Sequence, residues 1–159
     1  MKCLAATAFL VLSVSALAAP DKPKPLPSPV PAAQPTPSGQ VSVTARSRAL
    51  ELAGAFANDG YKLRDGHWLS SLEPGKPIFL EVNLYAGNEY WFSGAAVPPA
   101  RKVSVALFDE QGAPVASESY EDGPVAAAGI IAGTSGKYFV RVELTEGEKS
   151  DFCLLYSYK

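Results

Sequence analysis

Alternating apolar and polar residues, interrupted by turn residues about every ten positions, set the strongest constraint on what this chain can fold into. In "IFLEVNLY", residues 78–85, every second side chain is aliphatic. A repeat of two residues is that of a β-strand, whose successive side chains face opposite sides of a sheet. Short strands at this spacing are typical of an antiparallel β-sandwich rather than an α/β fold.

We therefore expect a mainly β chain, a jelly-roll-like antiparallel sandwich of about seven or eight strands over residues 61–159. The predicted strands cover residues 78–85, 89–93, 102–108, 114–119, 125–132, 137–144 and 151–158.

The pattern also predicts one amphipathic helix, at residues 44–57, in front of the sandwich. Apolar side chains recur there at helical spacing: Ala45, Ala49, Leu52, Ala53 and Phe56. Thr44 is a suitable N-cap, and Asn58-Asp59-Gly60 is a strong stop signal. Residues 40–159 are thus expected to form a single globular domain.

Two segments of different composition precede this domain. Residues 1–18 contain a lysine, an apolar run and then small residues, which predicts a secretory signal peptide cleaved before Ala19. Residues 19–39 alternate proline with small residues and lysine, which predicts a disordered or polyproline-like linker. The mature protein is therefore expected in the periplasm or outside the cell.

Charge and hydropathy narrow the choice of partners. The net charge of −2 includes no long basic run, so no nucleic-acid partner is expected. No segment after the signal peptide approaches the roughly 20 apolar residues of a membrane helix, so no membrane span is expected after cleavage.

Cys3 leaves with the signal peptide, so Cys153 has no internal disulfide partner and a packed core must stabilise the domain.

Three stretches, "AGNEYWFSG", "VSVALFDEQGAPVAS" and "TSGKYFVRVEL", carry a resemblance over about residues 75–158. In this order and spacing they resemble the bacterial pre-peptidase C-terminal domain family. The resemblance implies a noncatalytic sandwich that accompanies secreted peptidases and other extracellular enzymes. The chain departs from the family in carrying no peptidase segment, and in having Lys102 and Ser104 where acidic residues often alternate before the turn.

The tetrapeptide Asp109-Glu110-Gln111-Gly112 has two interpretations, a turn or part of a calcium site. Adjacent carboxylates on a strand point to opposite faces, whereas calcium needs six or more converging oxygens. Aspartate followed by glycine is typical of a turn. We predict the turn and no cofactor, and keep Ca²⁺ at Asp109 with Asp122 as the alternative.

Two other residues have reactive side chains. His67 is the only histidine, and the surrounding "DGHWLSSLEPG" lacks a nucleophile motif, so we interpret it as an exposed loop residue. Cys153 shares a strand face with Leu155, so we interpret it as a small packed side chain, with an intermolecular disulfide as the alternative. No catalytic residue is predicted.

The most informative feature is an apolar second face on several strands. Its expected members, which point away from the space between the sheets, are Phe79, Tyr85, Trp91, Phe108, Phe139 and Leu155. A sheet face in contact with water should be polar. Either the helix covers this face through Leu52 and Phe56, or Trp91, Tyr85 and Trp68 form an aromatic platform for a sugar or peptide.

Three functions follow from these observations. The first is an exported, noncatalytic β-sandwich that binds a protein or glycan partner in the envelope or outside the cell. The second is a secreted carbohydrate-binding module that uses Trp91, Tyr85 and Trp68. The third is a small secreted hydrolase with His67 as its base.

Overall fold

The computed structural model describes residues 39–159, which form one helix and nine strands. Their bounds are α1 (Gly39–Ala57), β1 (Lys62–Leu63), β2 (Trp68–Leu72), β3 (Ile78–Leu84), β4 (Glu89–Ala96), β5 (Ala100–Asp109), β6 (Glu118–Asp122), β7 (Val125–Ile131), β8 (Gly136–Gly147) and β9 (Ser150–Tyr158). The expectations of a signal peptide and of a linker up to residue 38 lie outside the described residues.

The strands form two antiparallel sheets, which confirms the predicted sandwich. The six-stranded sheet has the order β1-β9-β4-β7-β6, with β2 pairing with β9 beside β1. The three-stranded sheet has the order β3-β8-β5. The strand β9 therefore lies inside its sheet, between β4 on one side and β1 and β2 on the other.

The main hydrophobic core lies between the two sheets and contains the aliphatic residues that the alternation predicted. Those residues are all buried in one cluster: Leu80, Val82, Val105, Leu107, Val140, Val142 and Leu154. Aromatic side chains from the six-stranded sheet complete it, with Phe92 and Phe152 almost fully buried. Burial of this apolar area is the principal stabilising term for the domain.

A second, smaller cluster lies between α1 and the outer face of the six-stranded sheet. From the helix, Ala45, Ala49 and Ala53 face the sheet, one turn apart. From β9, Cys153 and Leu155 meet them, as their predicted shared face requires. Small side chains on the helix allow close contact, so α1 covers the middle of this sheet.

The helix begins at Gly39, five residues before the predicted start at Thr44. Thr44 is therefore inside the helix and is not its N-cap. The Ser42 hydroxyl donates a hydrogen bond to the Gly39 carbonyl, a bond that serine forms within helices as well as at their ends. Among residues 39–159, no helix is both long enough and apolar enough to span a bilayer.

The strand predicted at residues 114–119 is largely wrong. Pro114 forms only an isolated bridge with Phe108, and β6 begins at Glu118. Proline lacks the N–H that a regular ladder needs, so the chain enters β6 only after it. The short strands β1 and β2, which pair with β9, were not predicted and bring the total to nine.

Candidate functional site

The three aromatic residues of the predicted platform lie in different parts of the sandwich. Trp91 is on the outer face of the six-stranded sheet, whereas Trp68 packs against the core between the sheets and stacks on Tyr156. Tyr85 follows β3 and is 65% exposed. The structure therefore does not bring these three residues together on one surface.

The outward-pointing apolar residues also divide between two faces. Trp91 and Leu155 belong to the six-stranded sheet and lie under α1, as the helix-cover interpretation requires. Phe79, Phe108 and Phe139 belong to the three-stranded sheet. The prediction of one shared face was wrong because side-chain alternation gives the direction relative to the core but not the sheet to which a strand belongs.

The indole of Trp91 is enclosed on both faces. The ring of Phe56 stacks on it, with 4.2 Å between centroids and 14° between planes. On β7, a Cβ atom added to Gly129 would lie 2.6 Å from Trp91 Cε2. This position is also 2.7 Å from Cζ2 and 2.9 Å from Cδ2, so Gly129 lies over one face of the ring, and the stacked Phe56 ring lies over the other. Only the edge of the indole is left to meet a ligand.

A groove of about 420 Å³ lies beside this stack, within the size range of small-molecule sites. It is lined by Tyr61, Glu89, Trp91, Ala116, Ser117, Glu118, Gly129, Ile130 and Ile131. Cross-strand pairing places Glu118 opposite Gly129 and Gly129 opposite Trp91. The groove therefore crosses the sheet from the Phe56–Trp91 stack to the edge strand β6.

A hydrogen-bonded group of three residues forms one end of the groove. The Tyr61 hydroxyl donates to Glu89 Oε2 at 2.6 Å, and Lys159 Nζ lies 3.1 Å from the same oxygen. Lys159 Nζ is also 4.5 Å from the centroid of the Tyr61 ring, a cation–π distance. The hydrogen bond from Tyr61, followed by the contact with Lys159, lowers the pKa of Glu89, so its carboxylate is favoured over the neutral acid.

The outer face of the three-stranded sheet carries an apolar cluster, which we name the phenylalanine face: Phe79, Phe108 and Phe139. The rings of Phe79 and Phe108 meet edge to face, with centroids 6.1 Å apart. Phe79 is 55% exposed, and the other two rings are partly exposed. Two ion pairs, Lys137 with Glu81 and Arg141 with Glu143, lie on the same face.

The Asp109 segment is a turn, as predicted. Asp109 Oδ1 accepts hydrogen bonds from the backbone N–H groups of Gln111 at 3.0 Å and Ala113 at 2.8 Å. Gly112 has a φ of 79°, and its N–H donates to the Asp109 carbonyl. Both features are those of an aspartate-initiated turn.

The structure does not bring Asp109 and Asp122 together. The turn after Asp122 lies near the start of β5, where the Val103 N–H donates a hydrogen bond to the Gly123 carbonyl. Asp109 is the last residue of β5, which places it about 20 Å from Val103 at the usual rise per residue of a strand. Within residues 39–159, no group of three or more His, Cys, Asp or Glu side chains is placed to hold a metal ion.

The two reactive residues have different surroundings. His67 is exposed in the connection between β1 and β2, where it was predicted to lie. Cys153 is buried under α1 as a free thiol. Burial raises the pKa of the Cys153 thiol to about 11, which favours the unreactive protonated form.

Sequence reasoning missed most of the groove. Tyr61, Glu89 and Lys159 lie far apart in the chain, and only the pairing of β9 with β4 brings Lys159 beside Glu89. One signal was available: Gly129 interrupts the apolar strand β7, and an isolated glycine in a strand marks a close approach by another group.

These observations define a class, an antiparallel β-sandwich in which a helix covers one sheet and, within residues 39–159, no helix or strand covers the outer face of the other. No protein-family model matches the chain, and no curated protein matches it either.

Proposed function

We propose that this chain is an exported, noncatalytic β-sandwich that binds a protein partner in the cell envelope or outside the cell. The observation that carries the proposal is the phenylalanine face. Exposure of apolar rings to water is unfavourable in free energy. Exposed apolar clusters flanked by charged residues are typical of protein–protein contact sites.

The contrast between the two outer faces supports this interpretation. On the six-stranded sheet, α1 buries Cys153 and Leu155. On the three-stranded sheet, Phe79 stays 55% exposed. An outer sheet face in contact with water is normally polar, so a partner is the simplest cover for these rings.

The resemblance to the pre-peptidase C-terminal family agrees with such a role, since those sandwiches accompany secreted enzymes without catalysing a reaction. Export rests on the signal-peptide pattern of residues 1–18. Deleting these residues should retain the protein in the cytoplasm, which cell fractionation of the full and shortened chains would measure.

Carbohydrate binding is the second candidate, and the exposure of Tyr85 favours it. Tyr85 is 65% exposed and has a ring on which a sugar could stack, whereas both faces of Trp91 are covered. A glycan array followed by titration of Tyr85→Ala tests this candidate. Glycan binding that depends on Tyr85 would favour it over a protein partner.

In-cell photo-crosslinking tests the protein-partner proposal. A photoreactive phenylalanine at position 79 should give a discrete crosslinked product, and the same residue at position 50 should not. Leu50 is a suitable control, since it is a 37% exposed apolar residue on the outward side of α1, away from the phenylalanine face. The substitution Phe108→Glu, made in the position-79 background, should abolish the product. Equal crosslinking at both positions, or a product that survives Phe108→Glu, would contradict the proposal.

A further inference from the structure

The groove beside the Phe56–Trp91 stack is a second surface, separate from the phenylalanine face and on the opposite sheet. Among the described residues, its lining carries two carboxylates, Glu89 and Glu118, and no basic side chain. Lys159 neutralises Glu89 from one end. Glu118 is exposed and has no ion-pair partner among residues 39–159. The open part of the groove is therefore negatively charged.

One end of the groove already binds a cationic group of the chain itself, the ammonium group of Lys159. The Lys159 ammonium group lies 3.1 Å from a Glu89 oxygen and 4.5 Å from the centre of the Tyr61 ring. A carboxylate and an aromatic ring together hold an alkylammonium group by charge and by cation–π attraction. An anion would meet two carboxylates, and a stacking sugar would find both faces of Trp91 covered.

We propose that this groove binds a lysine or arginine side chain of a partner polypeptide. The cationic group would pair with Glu118, and the aliphatic stem would lie along Ile131, which is 68% exposed. The groove reaches the edge strand β6, whose five residues are all exposed and which, among the strands of residues 39–159, pairs only with β7. An extended polypeptide can therefore approach the groove along this edge.

The probe for this site is the peptide acetyl-TKTKT-amide, titrated into the mature protein and followed in ¹H–¹⁵N spectra. The indole N–H signal of Trp91 should shift, and that of Trp68, which packs against the core between the sheets, should not. The same peptide with both lysines acetylated should give no shift, because acetylation removes the charge. Shifts that survive acetylation, or that occur at Trp68 instead, would overturn the proposal.

Two substitutions test the charge. Glu118→Gln should weaken binding of the peptide about fivefold, as expected for the loss of one exposed ion pair. Glu81→Gln, on the three-stranded sheet, is the matched control and should leave binding unchanged. Unchanged affinity after Glu118→Gln, or equal loss in both variants, would contradict the assignment.

Two further comparisons test the internal cation and the source of the ligand. Lys159→Met frees the Glu89 carboxylate and should tighten binding of the peptide about threefold; weaker or unchanged binding would count against the site. Cadaverine presents the same ammonium group without a polypeptide and should bind at least tenfold more weakly than the peptide. Equal affinity for cadaverine would refute a polypeptide as the partner. None of these results depends on crosslinking at Phe79, so this proposal and the first one can fail separately.

Discussion

The ring of Phe56 at the end of α1 lies parallel to the indole of Trp91, 4.2 Å away from centroid to centroid. This stack attaches the end of the helix to the six-stranded sheet at a point beyond its alanine contacts. The helix–sheet junction therefore depends on one aromatic pair more than on any single alanine.

Phe56→Ala should lower the free energy of unfolding by about 2 kcal/mol, since it removes a half-buried ring and its stacking contact with Trp91. Denaturant unfolding measures the loss, and a red shift of tryptophan emission reports the newly exposed indole. Leu50→Ala, on the outward side of the same helix, should cost less than about 0.5 kcal/mol. Equal losses of unfolding free energy in Phe56→Ala and Leu50→Ala would show that the stack contributes no more than an ordinary surface side chain.

Gly129→Ala should destabilise the domain by about 2 kcal/mol, because the added methyl group would overlap the Trp91 indole. Gly133→Ala is the control, since a Cβ atom at that position meets no other atom within 4 Å. In a double-mutant cycle, Trp91→Leu should remove most of the cost of Gly129→Ala. Additive losses would show that the two residues do not compete for space.

The Cys153 thiol should report whether α1 is in place. In a Cys3→Ser background, an alkylating reagent at pH 8 should label Cys153 slowly, because the thiol is buried and its pKa is raised to about 11. Ala49→Gln places a larger polar group against the sheet and should speed labelling at least tenfold by opening the helix. Ala55→Gln, on the exposed side, should leave the rate unchanged; acceleration by both variants would indicate a general loss of stability.

Most of the sandwich could be predicted because its information is local. Alternation identified the core positions of β3, β5 and β8, and turn chemistry identified the bend at Asp109. The assignment of strands to sheets is not local. Phe79 and Trp91 show the same outward alternation, yet one faces water and the other lies under a helix, since the distinction depends on long-range pairing with β8 and β9.

Asp109→Ala should cost about 1 kcal/mol, because two backbone N–H groups lose the acceptor Oδ1. Asp109→Asn keeps an oxygen at that position and should cost less. Thermal unfolding in calcium and in chelator should give the same midpoint for the wild-type protein, because the carboxylate is occupied by the turn. A midpoint that rises with calcium and loses this dependence in Asp109→Asn would restore the metal interpretation.

Ser93→Ala should leave the free energy of unfolding unchanged or raise it by up to about 1 kcal/mol. The Ser93 hydroxyl is fully buried and has no hydrogen-bond partner within the described part of the chain, so its removal ends a desolvation cost. Ser150→Ala is the control with the opposite sign: its buried hydroxyl donates to the Val97 carbonyl, and its loss should destabilise the domain. Chemical denaturation of both variants gives the comparison, and a clear loss in Ser93→Ala would reveal an unrecognised bond.

The candidate surfaces were harder to predict than the core, for the same physical reason. Tyr61 and Glu89 are 28 positions apart, and Lys159 joins them only through the pairing of β9 with β4. Trp91 and Tyr85 were singled out for their ring area alone. The area of a ring does not show which groups stack on it. In this chain Phe56 and Gly129 already cover both faces of the Trp91 indole.

The position of β9 also orders the assembly of the chain in time. Because β4 on one side and β1 and β2 on the other all pair with β9, the six-stranded sheet cannot close before residues 150–158 are present. During synthesis β4 can pair with β7, and β7 with β6, at an earlier stage, whereas β1 and β2 have no partner strand among residues 39–159 until β9 is present. Emergence of β9 then joins the two parts of the sheet in one late step.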